Sequence, residues 1–249
     1  MASDPKPNLP GQRYGFSDAQ LAEHPLVFAP DLLADKVFVV SGGGSGIGKA
    51  TAFTLARLGA KVMICGRREE KLQTTAESIK QLVGADVAWH AMSIRRPEQV
   101  ESLMEATWDQ LGGLDVLVNN GGGQFAQDAI DFSVKGWNAV IDTNLNGTWY
   151  MMQSAAQRGR DTGKPGHIIN VVAVVHRGMP QGAHTCAARA GVIYLSKTVS
   201  TEWAPLNIQV NCVAPGSIAT TGLNVYEPEA AAMFKYANPM HEFGDSLDI

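Results

Sequence analysis

Ser41-Gly42-Gly43-Gly44-Ser45-Gly46-Ile47-Gly48 follows the apolar run Val37 to Val40 and precedes a stretch of helical periodicity, and its reading decides the fold. Gly42, Gly46 and Gly48 are spaced Gly-x-x-x-Gly-x-Gly. Glycine lets such a turn tighten and lets the backbone approach a pyrophosphate, while the helix start offers free amides and a partial positive charge. A second apolar run ends in Asn119-Asn120-Gly121-Gly122. Together they predict a nicotinamide dinucleotide site, with Ser41, Gly42, Ser45, Gly46, Ile47 and Gly48 on one side and Asn120, Gly121 and Gly122 on the other.

Outward from that turn, short apolar runs alternate with amphipathic ones. Val37 to Ser41, Lys61 to Cys65, Val87 to Ala91, Leu114 to Asn119, His167 to Val172 and Gln209 to Val213 read as strands. Ile47 to Leu58, Glu69 to Val83, Pro97 to Leu111, Ser133 to Arg160 and Ala183 to Ala204 read as helices. Strands that are apolar almost throughout are buried on both faces, which demands helices above and below a parallel sheet. The expected fold class is therefore α/β, a single doubly wound Rossmann domain with a mostly parallel sheet over residues 35–249. Residues 1–34, with Pro5, Pro7, Pro10, Pro25 and Pro30, predict an N-terminal extended arm with one short helical turn near Asp18. After Pro215-Gly216 the chain runs through an Ala- and Tyr-rich loop and helix to Ile249 without another strand, and Phe243-Gly244-Asp245-Ser246 reads as the start of a further helix. The expectation is a domain lacking its final C-terminal helix and strand, with an exposed sheet edge.

The 249 residues are 45% hydrophobic, enough for one large core. A net charge of −4 with scattered Lys and Arg argues against nucleic acid and for a small-molecule partner. Cys65, Cys186 and Cys212 are odd in number and far apart, which predicts reduced buried thiols, and no Cys or His pair has metal-ligand spacing. No apolar stretch approaches the ~20 residues that span a bilayer, and the N-terminus does not resemble a signal peptide. A cytoplasmic protein without a membrane partner is expected. Cofactor choice is usually set at the tip of the second strand, where this chain has Gly66-Arg67-Arg68 and no acid. Guanidinium groups grip phosphate in a fork, so Arg67 and Arg68 favour NADPH over NADH.

These motifs, with Asn144 in Asp142-Thr143-Asn144-Leu145-Asn146-Gly147 and with Pro215-Gly216-Ser217-Ile218-Ala219-Thr220, resemble the short-chain dehydrogenase/reductase superfamily over Lys36 to Phe243. The resemblance implies that Ser93 and Ile94 border the adenine, that Asn120 lines the ribose side, and that Ile218 and Thr220 meet the nicotinamide carboxamide beside Pro215 and Gly216. Gly121-Gly122-Gly123-Gln124-Phe125 and His184-Thr185-Cys186-Ala187-Ala188-Arg189-Ala190-Gly191 are most similar to peroxisomal trans-2-enoyl-CoA reductases, with 2,4-dienoyl-CoA reductases as cousins. Those enzymes reduce a carbon–carbon double bond of an acyl thioester with NADPH, and the likeness puts Gln124 where the dienoyl enzymes hold the thioester oxygen. The chain departs from that peroxisomal pattern in ending without Ser-Lys-Leu.

Carbonyl-reducing members of the superfamily use a serine, a tyrosine and a lysine. This sequence has Ala173, Thr185 and Arg189 at those positions and keeps Asn144. A placed acid is worth roughly 3 to 5 kcal/mol of barrier, which an ordinary alcohol dehydrogenase can hardly lose. Tyr194 cannot replace it. It lies on one helix with Thr185, ~13 Å further along and facing the opposite side, which predicts a packing role at the helix interface. Reduction of an activated double bond asks for less, because charge builds on the thioester oxygen and donors aimed there supply the main stabilisation. Gln124, Thr185 and a ribose hydroxyl held by Arg189 form such a set. Arg189 stays charged, so the α-carbon proton comes from water or a histidine, with His184 the first candidate and His176 the second. Two other readings compete: an alcohol or carbonyl oxidoreductase acting on hydrophobic, terpenoid-like alcohols, and a non-catalytic dinucleotide-binding protein. The apolar load of Ser133 to Arg160 and Ala183 to Ala204, including Trp149, Tyr150, Met151 and Tyr194, predicts a homodimer or homotetramer.

Overall fold

Side chains alternate across the central strand and divide the hydrophobic residues between two cores. The computed structural model describes residues 14–226 and 228–249; Pro5, Pro7 and Pro10 of the expected arm lie outside them. Six strands, β1 (Val37–Ser41), β2 (Lys61–Gly66), β3 (Val87–Ala91), β4 (Val116–Asn119), β5 (Gly166–Val171) and β6 (Ile208–Val213), form one sheet. Its order is β3-β2-β1-β4-β5-β6 and every pairing is parallel. Phe38, Val40, Val62 and Ile64 join Phe53 of α2 (Gly46–Arg57), Leu72 and Ile79 of α3 (Glu69–Val83), and Leu21 of α1 (Asp18–Glu23). Val39, Met63 and Cys65 face the other way. They pack with Leu103 and Met104 of α4 (Pro97–Leu111), Met151 and Met152 of α6 (Gly147–Thr162), and Val199 of α7 (Ala183–Glu202).

The short helix foreseen near Asp18 is α1, closed by a capping box between Ser17 and Gln20. It is tied down by the Lys49–Asp18 ion pair and by Arg57, which donates to the carbonyls of Leu21 and His24 at 3.0 and 2.6 Å.

The single helix expected from Ser133 to Arg160 is three pieces. After α5 (Val134–Ile141), residues Asp142–Asn146 widen into a π turn before α6 begins. A widened turn re-aims the side chain it carries. Here that is Asn144, whose Oδ1 accepts from Gly123 N at 3.0 Å and whose Nδ2 donates to Gly123 O at 2.9 Å. Met151 is buried and Trp149 and Tyr150 are half-buried, but Tyr194 is 70% exposed with Lys197 stacked over its ring. The packing role expected of Tyr194 is thus incorrect, because position 194 falls on the solvent side of α7. All three cysteines are free, yet only Cys65 is buried, which pushes its thiol up to about 12. Cys186 and Cys212 are half-buried.

Beyond β6 lie α8 (Pro228–Met233) and two 3-10 turns, Thr221–Val225 and Phe234–Ala237. Phe243 to Ser246 does not start a helix: Gly244 pairs with Ile218 in a parallel bridge, donating to Ser217 O and accepting from Ala219 N. Among the described residues no seventh strand follows, and β6 is a sheet edge. No described helix is long and apolar enough to cross a membrane.

Phe53 has no exposed surface. Phe53→Ala should lower stability by about 3–5 kcal/mol, read as a lower urea midpoint at unchanged slope.

Candidate active site

In this strand order the chain reverses direction of travel between β1 and β4, and the crevice beyond their C-terminal ends is where ligands bind in open α/β sheets. Ser41 closes the floor of that crevice. Its buried Oγ accepts from Asn120 N at 3.1 Å and Gly121 N at 2.8 Å, so it is turned to the backbone after β4 and not to the cleft. Asn120 likewise faces the glycine turn, donating from Nδ2 to Ser41 O at 3.0 Å. The turn is packed to contact: a Cβ at Gly48 would collide with Asn120 Nδ2 and come within 2.5 Å of Gly42 O, and Gly42 sits at φ +71°. Ser45 precedes α2 without capping it, so the first amides of the helix remain directed at the cleft.

The cleft is lined by Gly42, Ser45, Arg67, Arg68, Ser93, Ile94, Gly121 and Gly122 of the expected set, and also by Gly44, Lys71, Met92, Arg95 and Thr143. Gly46, Ile47 and Gly48 form the first turn of α2 behind it. Ile94 presses on Gly147, where a Cβ would meet Ile94 Cγ1 at 2.7 Å. Lys71 was missed in the sequence because it sits one helical turn past the strand tip. Burial, then the charges of Arg68 and Lys49, hold it below the ordinary lysine range. The segment after β6 returns to the glycine turn through Thr220, whose Cβ lies 3.5 Å from the position a Gly46 Cβ would take. Ile218 is engaged in the bridge to Gly244, and neither Pro215 nor Gly216 lines the cleft.

On the far side, Arg189 is 8% exposed and no acid pairs with it among the described residues. Its guanidinium lies against the backbone of Gly122, and Nη1 has no hydrogen-bond partner. Burial brings it down to about 10, which still leaves it cationic at neutral pH. A buried cation with an orphaned donor, a glycine turn filled to contact and an uncapped helix start fit a phosphate- and hydroxyl-rich dinucleotide.

Thr185 is buried, with Oγ1 3.3 Å from His184 Nδ1, and His184 has no exposed surface. The His184 ring stacks on Phe132 at 4.4 Å and meets Phe125 edge-on at 4.6 Å. Burial holds its pKa below the usual histidine value against the opposing influence of the Gly182 and Phe125 carbonyls, and Nε2 completes no hydrogen bond. His176 is exposed on the loop after β5. Gln124 is exposed and donates from Nε2 to the hydroxyl of Tyr226 at 2.9 Å, a partner 102 residues away that no local pattern announces.

The model of the short chain dehydrogenase family matches residues 36–231. This chain belongs to the short-chain dehydrogenase family. A Bacillus subtilis family relative named "Probable 2,4-dienoyl-CoA reductase [(2E)-enoyl-CoA-producing]" is 38% identical over 189 residues, 75% of this chain and 74% of the relative. The mouse peroxisomal 2,4-dienoyl-CoA reductase is 32% identical over 99% of this chain and 84% of its own. Among solved short-chain dehydrogenase structures, a citronellol catabolism dehydrogenase from Pseudomonas aeruginosa superposes with a TM-score of 0.77 at 36% identity, covering 88% of this chain and 86% of that one.

Because burial lowers the pKa of the folded His184, the unfolded chain binds its proton more readily around the ordinary histidine value of about 6.5. The contribution of neutral His184 is present above that pH and is lost as pH falls. Denaturation midpoints measured from pH 7.5 to 5 should therefore drop more steeply for the wild type than for His184→Phe; parallel slopes would contradict this.

Proposed function

We propose that this chain is an NADPH-dependent oxidoreductase that reduces the activated carbon–carbon double bond of an enoyl thioester, with an acyl-CoA as substrate, or of a similar conjugated carbonyl. The observation that carries this reading is the pairing of Arg189 with Thr185. One is a buried cation that binds and orients, the other a hydroxyl with no useful acidity, so the pocket is built to stabilise charge and not to deliver a proton. An alcohol dehydrogenase needs the proton; a conjugated thioester needs mainly the stabilised oxygen. The 32–38% identity to 2,4-dienoyl-CoA reductases supports the same direction.

In this reading the uncapped start of α2 and the turn Gly42 to Gly48 hold the pyrophosphate. Arg67, Arg68 and Lys71 take the 2′-phosphate, Ser93 and Ile94 border the adenine, and Arg189 holds a ribose hydroxyl. Asn120 and Gly121 shape the ribose side, while Pro215, Gly216, Ile218 and Thr220 border the carboxamide. A bound reduced nicotinamide supplies the hydride that adds to the β-carbon. Gln124 and Thr185 direct donors at the thioester oxygen, and Asn144 keeps Gly122 and Gly123 in place beneath them. With His184 enclosed between two phenylalanines, water supplies the α-carbon proton.

Purified protein with NADPH and crotonyl-CoA or a longer enoyl-CoA should consume cofactor absorbance, and no consumption with any enoyl thioester would overturn the reading. Removing both guanidiniums in Arg67→Ala/Arg68→Ala should raise the NADPH KM roughly tenfold or more while leaving NADH unchanged; equal wild-type affinity for both cofactors would sink the preference. A second reading, oxidation of a hydrophobic terpenoid-like alcohol, draws support from the 36% identity to the citronellol catabolism dehydrogenase. A faster rate with citronellol and NADP⁺ than with enoyl-CoA would favour it.

A homodimer or homotetramer in the cytoplasm completes the proposal. Ile130 and Val134 beside α5 are 93% and 77% exposed, and Tyr194 on α7 is open too, which supports pairing through these helices. Light scattering should give a multiple of the 26.6 kDa chain mass; a monomer would refute it.

A further inference from the structure

We propose that the hydroxyl of Tyr226, steered by Gln124, supplies the phenol that position 185 lacks and donates a hydrogen bond to the carbonyl oxygen of the substrate. This rests on the reading of the site as an enoyl thioester reductase. The direction of the Gln124–Tyr226 bond is the starting point. Gln124 Nε2 donates and the Tyr226 oxygen accepts, at 2.9 Å, so the phenolic proton is not consumed and remains free for a second acceptor. A donor whose own oxygen is already held by a neighbour is aimed before substrate arrives, which is the condition for stabilising an oxygen that gains charge.

The position fits that role. Gln124 follows Gly122 by two residues, so their Cα atoms are at most about 7 Å apart, and Gly122 is the residue packed against the Arg189 guanidinium. The pair thus hangs from backbone two residues beyond Gly122, which lines the cleft, with Gln124 exposed and Tyr226 half-buried. Tyr226 is also braced from behind. Its ring meets Phe234 edge-on at 5.0 Å, and the Phe234 carbonyl accepts from Ser217 Oγ at 2.9 Å, tying the ring to the segment that leaves β6. The other tyrosines are committed elsewhere: Tyr194 to the solvent side of α7, Tyr150 to the second core, Tyr236 to His241 and Tyr14 to Phe243.

Tyr226→Phe preserves the ring and its packing on Phe234 and removes only the hydroxyl. With NADPH and an enoyl-CoA on which the wild type turns over, kcat should fall about 10²-fold, the scale of losing one oxyanion donor. NADPH affinity by fluorescence titration and the thermal midpoint should stay at wild-type values. Gln124→Ala, which removes both the amide's own donor and its hold on the Tyr226 oxygen, should also lower kcat, and its loss should not simply add to that of Tyr226→Phe in the double variant. A kcat unchanged in Tyr226→Phe, or a loss confined to KM, overturns the donor role and leaves the reductase reading standing. A wild type inert toward every enoyl thioester is a different outcome: it overturns the reductase reading and the assignment of Tyr226 to a thioester oxygen with it.

Discussion

Among the described glycines, Gly122 leaves the least room for a side chain. At Gly122 a single methyl group would collide with the Arg189 guanidinium and come within 3.0 Å of Asn144 Oδ1, so glycine there is what allows the end of β4, the π turn and α7 to converge. The run that follows distributes the site residue by residue. Gly121 is held by Ser41, Gly123 by both ends of the Asn144 amide, Gln124 by Tyr226, and Phe125 by the His184 ring. Five consecutive residues thus fasten β1, the π turn, the C-terminal segment and α7 to one irregular strand of backbone. Irregular backbone at a strand end is where a rigid sheet can support chemistry without surrendering its own hydrogen bonds.

Against that framework, Arg189 is the expensive element. A guanidinium taken out of water without a carboxylate has to be supported by something that fits it, and neighbouring backbone offers no full compensation, as the unpartnered Nη1 indicates. Nothing in the packing requires a charge at this point of α7, since Ala188 and Val192 on the same helix fill the interior without one. The cost is understandable only if a ligand hydroxyl or phosphate completes the set. His184 is the contrasting case, because burial there favours the neutral ring and aromatic stacking on Phe132 compensates it locally.

The fold was legible because burial on both faces leaves an unmistakable trace. Val37 to Ser41, buried throughout, has the bounds its apolar run predicts, the half-buried edge strand Val87 to Ala91 keeps its expected bounds too, and α3 and α4 begin and end where their periodicity does, with Gly84 and Gly112 in the left-handed conformation closing both helices. The π turn left no such trace. One extra residue in a single turn is too small a phase shift to read from an apolar pattern, and the two bonds exchanged between Asn144 and Gly123 span 21 residues. The cleft residues near the glycine turn were readable for the same reason the strands were, since their roles follow from local spacing. Lys71, a helical turn beyond the strand tip, and Tyr226, brought in from beyond β6, depend on tertiary contact and were not.

Carrying the donor on the segment after β6, as proposed for Tyr226, would change what the site can discriminate. A donor on a packed helix is present for any ligand that reaches the cofactor, whereas the Tyr226 hydroxyl depends on the contact that its segment makes with Gln124. Thr220 lies against the glycine turn at one end of this segment and Tyr226 meets Gln124 further on, so the same stretch reaches both the glycine turn and the backbone that leaves β4. Binding energy from a remote portion of a substrate would then be expressed as correct placement of the donor. A small carbonyl compound, lacking those remote contacts, gains the cofactor but not the aligned hydroxyl. On this logic a threonine at position 185 would not simply stand for a missing acid; control of the oxygen would pass from the helix scaffold to the segment after β6.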